Sequence, residues 1–157
     1  MSFPLSSSII IRLFETKIHN LQINRKFYNS YLLTKAGHSN MVDPKRVLSY
    51  EDMLKIIHQP EKVIIDVRSP EEVKSTGKIP SSINIPLNNM QDALITMSEE
   101  EFKKQFQRPK PSSSDELIFY CQSGRRSSEA LDKALKLGYT KSKTYLGSWN
   151  DWSSKHK

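Results

Sequence analysis

Leu117-Ile118-Phe119-Tyr120-Cys121-Gln122-Ser123-Gly124-Arg125-Arg126-Ser127-Ser128 is an apolar run that ends in the chain's one cysteine and passes through a short polar turn into a helical pattern at Glu129. The run is short, apolar and unbroken, which reads as a strand buried on both faces, with Phe119 and Tyr120 pointing to opposite helix layers. A strand that turns straight into a helix aims several backbone N–H groups at whatever occupies the corner, and the positive end of the helix dipole adds to them. Here the occupant is a thiol, followed by Arg125 and Arg126. These surroundings favour the thiolate, the nucleophilic form, so the Cys121 pKa is expected below that of free cysteine. A lone cysteine is otherwise a small buried hydrophobe. Gly124 argues against filler, because a position tolerant of positive φ lets the backbone curl around a bound group.

Outward from this corner the chain alternates strands and helices. Arg46-Val47-Leu48 is a short strand, and Ser49 with Asp52 opens a helix to about His58. Val63-Ile64-Ile65-Asp66-Val67 is a second buried strand, after which Ser69-Pro70-Glu71-Glu72 supplies an N-cap, a first-turn proline and an acid at N3 for a helix ending by Gly77. Pro80 and Pro86 leave room for only a short strand around Ile83-Asn84-Ile85. Helices are expected from Asn89 to about Met97 and from Ser98 to about Phe106, a loop from Arg108 to Ser114, a strand from Glu116 to Tyr120, a helix from Ser127 to Leu137 that stops at Gly138, and a last strand from Lys143 to Leu146. Trp149 and Trp152 read as closing the core. The fold class that follows is α/β, an open, mostly parallel five-stranded sheet with helices on both faces, whose ligands lie beyond the carboxyl ends of the strands. Cys121 stands at such an end.

Of the net charge of +7 over 157 residues, residues 1–42 carry +4. The remainder is an ordinary soluble composition without the basic, aromatic-interleaved face that nucleic-acid binding needs. A single cysteine excludes an internal disulfide framework and cysteine-rich zinc sites, and it leaves no internal resolving thiol, so anything Cys121 acquires must pass to an external acceptor. No metal and no cofactor enter the expected chemistry. Residues 1–42 are poor in acid and rich in serine with scattered Arg12, Lys17, Arg25, Lys26 and Lys35, the composition of an organellar transit peptide. Ile10, Leu13, Phe14, Ile18 and Leu21 share one helical face, on which Lys17 intrudes. Arg12 cuts short the apolar run a secretory signal requires, and no stretch approaches the ~18 apolar residues of a membrane span. Arg25-Lys26-Phe27-Tyr28 resembles mitochondrial presequence cleavage sites, which places residues 1–42 as a mitochondrial transit peptide and flexible arm, the matrix as the destination, and residues 43–157 as the folded domain.

Three blocks carry a family resemblance over residues 46–153: Val63 to Glu72 with Gly77-Lys78-Ile79-Pro80 and Ile83-Asn84-Ile85-Pro86; Tyr120 to Ser127; and Leu146-Gly147-Ser148-Trp149-Asn150-Asp151-Trp152. In this order and spacing they resemble the single-domain rhodaneses, thiosulfate sulfurtransferases, and with the presequence the small fungal mitochondrial members in particular. The chain departs from the family at Lys78, where histidine is common, at Ser148, where a second glycine is common, and at Gln122 and Ser123, where thiosulfate-using members often carry Arg and Lys.

The resemblance implies two-step sulfur transfer. A sulfane donor such as thiosulfate gives its outer sulfur to Cys121, and a thiol such as glutathione or thioredoxin, or cyanide, removes it from the persulfide. The expected site comprises Cys121 as nucleophile, with Gln122, Ser123, Gly124, Arg125 and Arg126 binding the donor through backbone N–H groups of residues 122–126 and through the guanidinium groups. Asp66 is the candidate carboxylate to fix Arg126, and Arg68 is expected to pair with Glu72. No protein base is required, and His19, His38, His58 and His156 lie away from the motifs. Two other readings use the same cysteine: a persulfide carrier for a protein partner, and a cysteine phosphatase or arsenate reductase. A phosphatase loop needs five residues between Cys and Arg, whereas four separate Cys121 from Arg126. A non-catalytic binding module, the remaining alternative, has no need of an intact cysteine loop.

Overall fold

The computed structural model describes residues 42–156. A 3-10 turn, Pro44–Arg46, leads into strand β1, Val47–Leu48, and helix α1, Tyr50–Ile56. Strand β2, Val63–Asp66, is followed by helix α2, Pro70–Thr76, and strand β3, Ile83–Asn84. A 3-10 turn at Leu87–Asn89 and a π-helical turn at Asp92–Thr96 precede helix α3, Glu99–Phe106. Strand β4, Leu117–Tyr120, helix α4, Arg125–Lys136, strand β5, Lys143–Tyr145, and helix α5, Ser148–Lys155, complete the described chain.

The five strands form one sheet in the order β1-β5-β4-β2-β3, with every pairing parallel. Strand β4 is central, Val63 to Asp66 running in register with Leu117 to Tyr120. All four residues of β2 and all four of β4 are buried, as expected of strands covered on both sides. Their side chains divide by the two-residue period. Val63, Ile65, Leu117 and Phe119 pack with Phe102 of α3 and with Ala130, Leu131 and Ala134 of α4, while Ile64, Ile118 and Tyr120 pack with Met53 and Ile56 of α1 and Trp152 of α5. The predicted opposition of Phe119 and Tyr120 is therefore present.

Helix starts follow the sequence closely. Ser49 with Asp52, Ser69 with Glu72 and Ser98 with Glu101 each form a capping box, in which the serine accepts the N3 amide and the acid accepts the serine amide. Beside one-residue shifts at the ends of β2, β4 and β5, three differences from expectation stand out. Arg46 belongs to the first 3-10 turn, where its guanidinium donates to the Thr140 and Ser142 carbonyls instead of joining β1. The expected helix from Asn89 to Met97 is a 3-10 turn and a wide π turn, closed by the Met97 amide reaching the Asp92 carbonyl five residues back. Helix α4 begins at Arg125, ahead of the expected Ser127, because Gly124 takes φ 92° and the Ser127 and Ser128 hydroxyls both donate to its carbonyl. This last shift places both arginines in the first helical turn, directly after the cysteine loop.

Candidate active site at the Cys121 loop

Strand β4 delivers Cys121 to the carboxyl edge of the sheet, and Gly124 reverses the chain into α4. Only glycine serves at that point: a Cβ would sit 2.4 Å from the Leu146 carbonyl oxygen, on a backbone already at positive φ. The loop is bound to the start of α5. The Trp149 amide donates to the Cys121 carbonyl at 2.9 Å, and the Asn150 amide to the Gln122 carbonyl at 3.1 Å. The Leu146 to Trp152 block thus acts as the platform on which the cysteine loop rests.

Cys121 is 1 % exposed. One flank belongs to the apolar cluster with Phe119 and Ile85, while its sulfur accepts the Gly124 N–H at 3.1 Å. Burial pushes the thiol pKa up, yet the backbone N–H groups of Ser127, Ser123 and Gly124 and the Ser148 hydroxyl together bring it below the ordinary thiol value. Of the amides expected over residues 122–126, those of Ser123 and Gly124 serve the sulfur, and Ser127, in the first turn of α4, supplies a further one. The sulfur thus lies between an apolar flank and a polar one made of backbone amides and the Ser148 hydroxyl. A cleft of about 610 Å³ between the π turn and α3, lined by Asp92, Thr96, Met97, Glu101, Lys104 and Gln105, contains none of these residues.

Ser148 was legible in the sequence only as a departure from glycine. It is completely buried and adopts φ 54°, a left-handed conformation that costs a non-glycine residue on the order of 1 kcal/mol or more. Its hydroxyl donates to the Tyr145 carbonyl at 2.9 Å, accepts the Cys121 amide at 3.1 Å and lies 3.8 Å from the sulfur. Replacing Ser148 by glycine relieves the backbone and removes a donor that favours the thiolate. The expected result is a roughly threefold to tenfold slower alkylation of Cys121 by iodoacetamide at neutral pH, with the pH profile moved upward. An unchanged profile would show that the hydroxyl serves only the backbone.

The expected pairing of the charged residues is exchanged. Arg68 is completely buried and holds Asp66, not Glu72: its Nε donates to Asp66 Oδ1 at 3.0 Å and its Nη2 to Oδ2 at 2.6 Å, and the Arg68 amide also reaches Oδ1. The remaining guanidinium donors go to Thr76 Oγ1, the Gly77 carbonyl and Gln122 Oε1, and the Trp149 ring lies 4.9 Å from its centre. Two residues apart at the end of β2, Asp66 and Arg68 close a local ring that a partner from another element would have to break. Glu72 is thereby left for Arg126, which grips both carboxylate oxygens at 2.6 and 2.7 Å. This fork, more than any other contact, brings the Glu72 pKa down to about 2, and the same carboxylate caps α2 by accepting the Ser69 amide.

The loop side chains divide accordingly. Gln122 spans from Arg68 to Asn150, whose Oδ1 accepts its Nε2 at 2.6 Å. Ser123 and Arg125 are exposed, and Arg125 makes no ion pair among the described residues. Trp152 is buried as expected, whereas Trp149 is half-buried against Arg68.

A parallel α/β sheet that presents an amide-ringed cysteine between a strand end and a helix start defines a domain for thiolate chemistry on a small anionic group. The chain belongs to the rhodanese family: the rhodanese-like domain matches residues 49–155. It is 47 % identical over 108 residues to the thiosulfate:glutathione sulfurtransferase of Saccharomyces cerevisiae, covering 68 % of this chain and 76 % of that protein. It is 38 % identical over 112 residues to thiosulfate sulfurtransferase RDL2, mitochondrial, of the same yeast, covering 70 % and 74 %. Among solved structures it resembles the human single-domain sulfurtransferase TSTD1, with a TM-score of 0.66 and 33 % identity over 71 % of this chain and 98 % of that one.

Proposed function

We propose that this protein is a sulfurtransferase that takes the outer sulfur of thiosulfate, or of a related sulfane donor, onto Cys121 and passes it to a thiol, with glutathione as the small-molecule acceptor. The observation that carries this reading is the ring of Ser123, Gly124 and Ser127 amides around a thiol whose pKa is lowered despite burial. The thiolate attacks the outer sulfur, the donor's S–S bond breaks with its electron pair leaving on sulfite, and the new S–S bond makes Cys121 a persulfide. A second thiolate attacks the terminal sulfur and restores the Cys121 thiolate. Both forms of the enzyme place negative charge on sulfur in the same ring, so the amides stabilise reactant and product without reorganising. Arg125 meets the donor's anionic end.

The names of the relatives support the donor and acceptor classes: one is a thiosulfate:glutathione sulfurtransferase and another a mitochondrial thiosulfate sulfurtransferase. The phosphatase alternative is disfavoured by the loop. The position at which its phosphoryl-binding arginine would stand is Ser127, buried and bonded to Gly124 and Thr144, and Arg126 one residue earlier is engaged by Glu72. Residues 1–41, which carry the presequence reading, lie outside the described residues. Their composition and the mitochondrial relative support residence in mitochondria, with the matrix as the compartment, residues 1–42 as the transit peptide and arm, and residues 43–157 as the catalytic domain. No helix among the described residues is long and apolar enough to cross a membrane.

Intact-protein mass spectrometry after thiosulfate treatment tests the reading. One added sulfur, located on Cys121 and removed by glutathione, is the expected result. A protein that releases no sulfite and gains no sulfur overturns it.

A further inference from the structure

The charges around the loop cancel in pairs. Asp66 neutralises Arg68 and Glu72 neutralises Arg126, which leaves Arg125 as the loop's one cation without an anionic partner among the described residues. Arg126 is close enough to the nucleophile to feel its charge. Its pKa is raised first by the Glu72 bond and then, in smaller part, by the Glu72 and Cys121 charges. Yet its guanidinium is aimed at the helix cap and not at the sulfur, with both fork distances at 2.6 to 2.7 Å. A dianionic donor approaching the Cys121 thiolate therefore meets three negative charges, Cys121, Asp66 and Glu72, against three positive ones, Arg68, Arg125 and Arg126, so no net positive charge draws it in.

We propose that Glu72 is a specificity-determining residue: by occupying Arg126 it tunes the loop toward a singly charged sulfane donor, a thiosulfonate or an organic hydropersulfide, over dianionic thiosulfate. This rests on the sulfur-transfer reading and names the donor class for the same site. The chemistry balances without an additional reagent. The Cys121 thiolate attacks the donor's outer sulfur, the donor S–S bond breaks with its electron pair on a sulfinate or thiolate, and Cys121 keeps the sulfur as a persulfide.

The test compares kcat/KM for thiosulfate and for benzenethiosulfonate in the full chain, in Glu72→Gln, in Arg125→Gln and in Arg126→Gln. Glutamine at 72 retains an oxygen to cap the Ser69 amide but releases the Arg126 charge. The expected result is a rise of about tenfold in the thiosulfate to benzenethiosulfonate ratio for Glu72→Gln, with a steeper dependence of thiosulfate KM on salt. Arg126→Gln strips Glu72 of its counter-charge and should lower the ratio several-fold, as Arg125→Gln does by removing the unpaired cation, whereas Glu72→Gln combined with Arg126→Gln should bring the ratio back to within about threefold of the parent's. An unchanged ratio in a folded Glu72→Gln protein overturns the proposal. So does a double variant, Glu72→Gln with Arg126→Gln, whose ratio stays as low as that of Arg126→Gln alone, a comparison that holds even if Glu72→Gln by itself does not fold. Should neither donor add sulfur to Cys121, the sulfur-transfer reading fails, whereas an added sulfur with a flat ratio sinks only the role of Glu72.

Discussion

Cys121→Ser lowers sulfite release from thiosulfate by at least roughly a thousandfold, because a hydroxyl in the same ring stays protonated at neutral pH and is a poor nucleophile toward sulfur. The fold survives. Serine is close in size, and its oxygen can accept the Gly124 N–H that the sulfur accepts at 3.1 Å, so thermal or urea unfolding near pH 7 should differ by about 1 kcal/mol or less. A pH series adds an independent check. The lowered pKa of Cys121 in the folded chain means that the native state holds the thiolate more tightly than the unfolded state does. That stabilisation is complete above the unfolded thiol value of 9.0 and disappears as pH falls through the lower folded value. The serine variant lacks it, so the stability gap between the two proteins widens as pH rises. A gap independent of pH would mean that the amides do not favour the thiolate, and a variant with full turnover would remove Cys121 from the chemistry.

The largest loss of stability is expected at Arg68. Both members of the Arg68–Asp66 pair have side chains with 0 % exposure, so Arg68→Met leaves a carboxylate in the core without its counter-charge. Breaking such a pair costs about 3–5 kcal/mol, more than a surface ion pair by several-fold. Urea unfolding measures it directly. The double variant Asp66→Asn with Arg68→Met should recover much of the loss, since it removes the orphaned charge as well. Turnover should fall in the single variant at urea-free equilibrium too, because Arg68 also holds Gln122 Oε1 and stacks under Trp149, the residue whose amide binds the Cys121 carbonyl. A single variant as stable as the parent would show that solvent reaches Asp66.

The acid side of the site follows the same logic with the opposite partner. Glu72, held by Arg126 at a pKa of about 2, contributes stability that is present above the ordinary carboxylate value and lost as pH falls toward that number. The bidentate fork therefore persists through mildly acidic conditions, and with it the neutralisation of Arg126.

The alternation of strands and helices, the parallel sheet and the position of the nucleophile were all legible in the chain. Val63 to Asp66 and Leu117 to Tyr120 are continuous apolar runs, and Ser49, Ser69 and Ser98 each stand three residues before an acid. These are local signals, set by backbone hydrogen bonding and side-chain periodicity. The wide turn at Asp92–Thr96 and the early start of α4 were not legible, since the first is a choice of a five-residue over a four-residue hydrogen bond and the second is set by two serine hydroxyls that reach the Gly124 carbonyl.

The order of residues Tyr120 to Ser127 was enough to establish where the thiolate would be, because a strand end, a glycine and a helix start are neighbours along the chain. Which charge answers which was beyond its reach. Arg68, Asp66, Glu72 and Arg126 admit two pairings, and the choice rests on a compact ring closed by Asp66 and Arg68 in a buried place, with Glu72 left facing the first turn of α4. Ser148 likewise acquires its role only when folding brings residue 148 to within 3.8 Å of the Cys121 sulfur. Neighbouring atoms along the backbone specify the nucleophile, but its electrostatic surroundings come from four separate stretches of chain, and only packing sets the distances on which Coulomb energies depend.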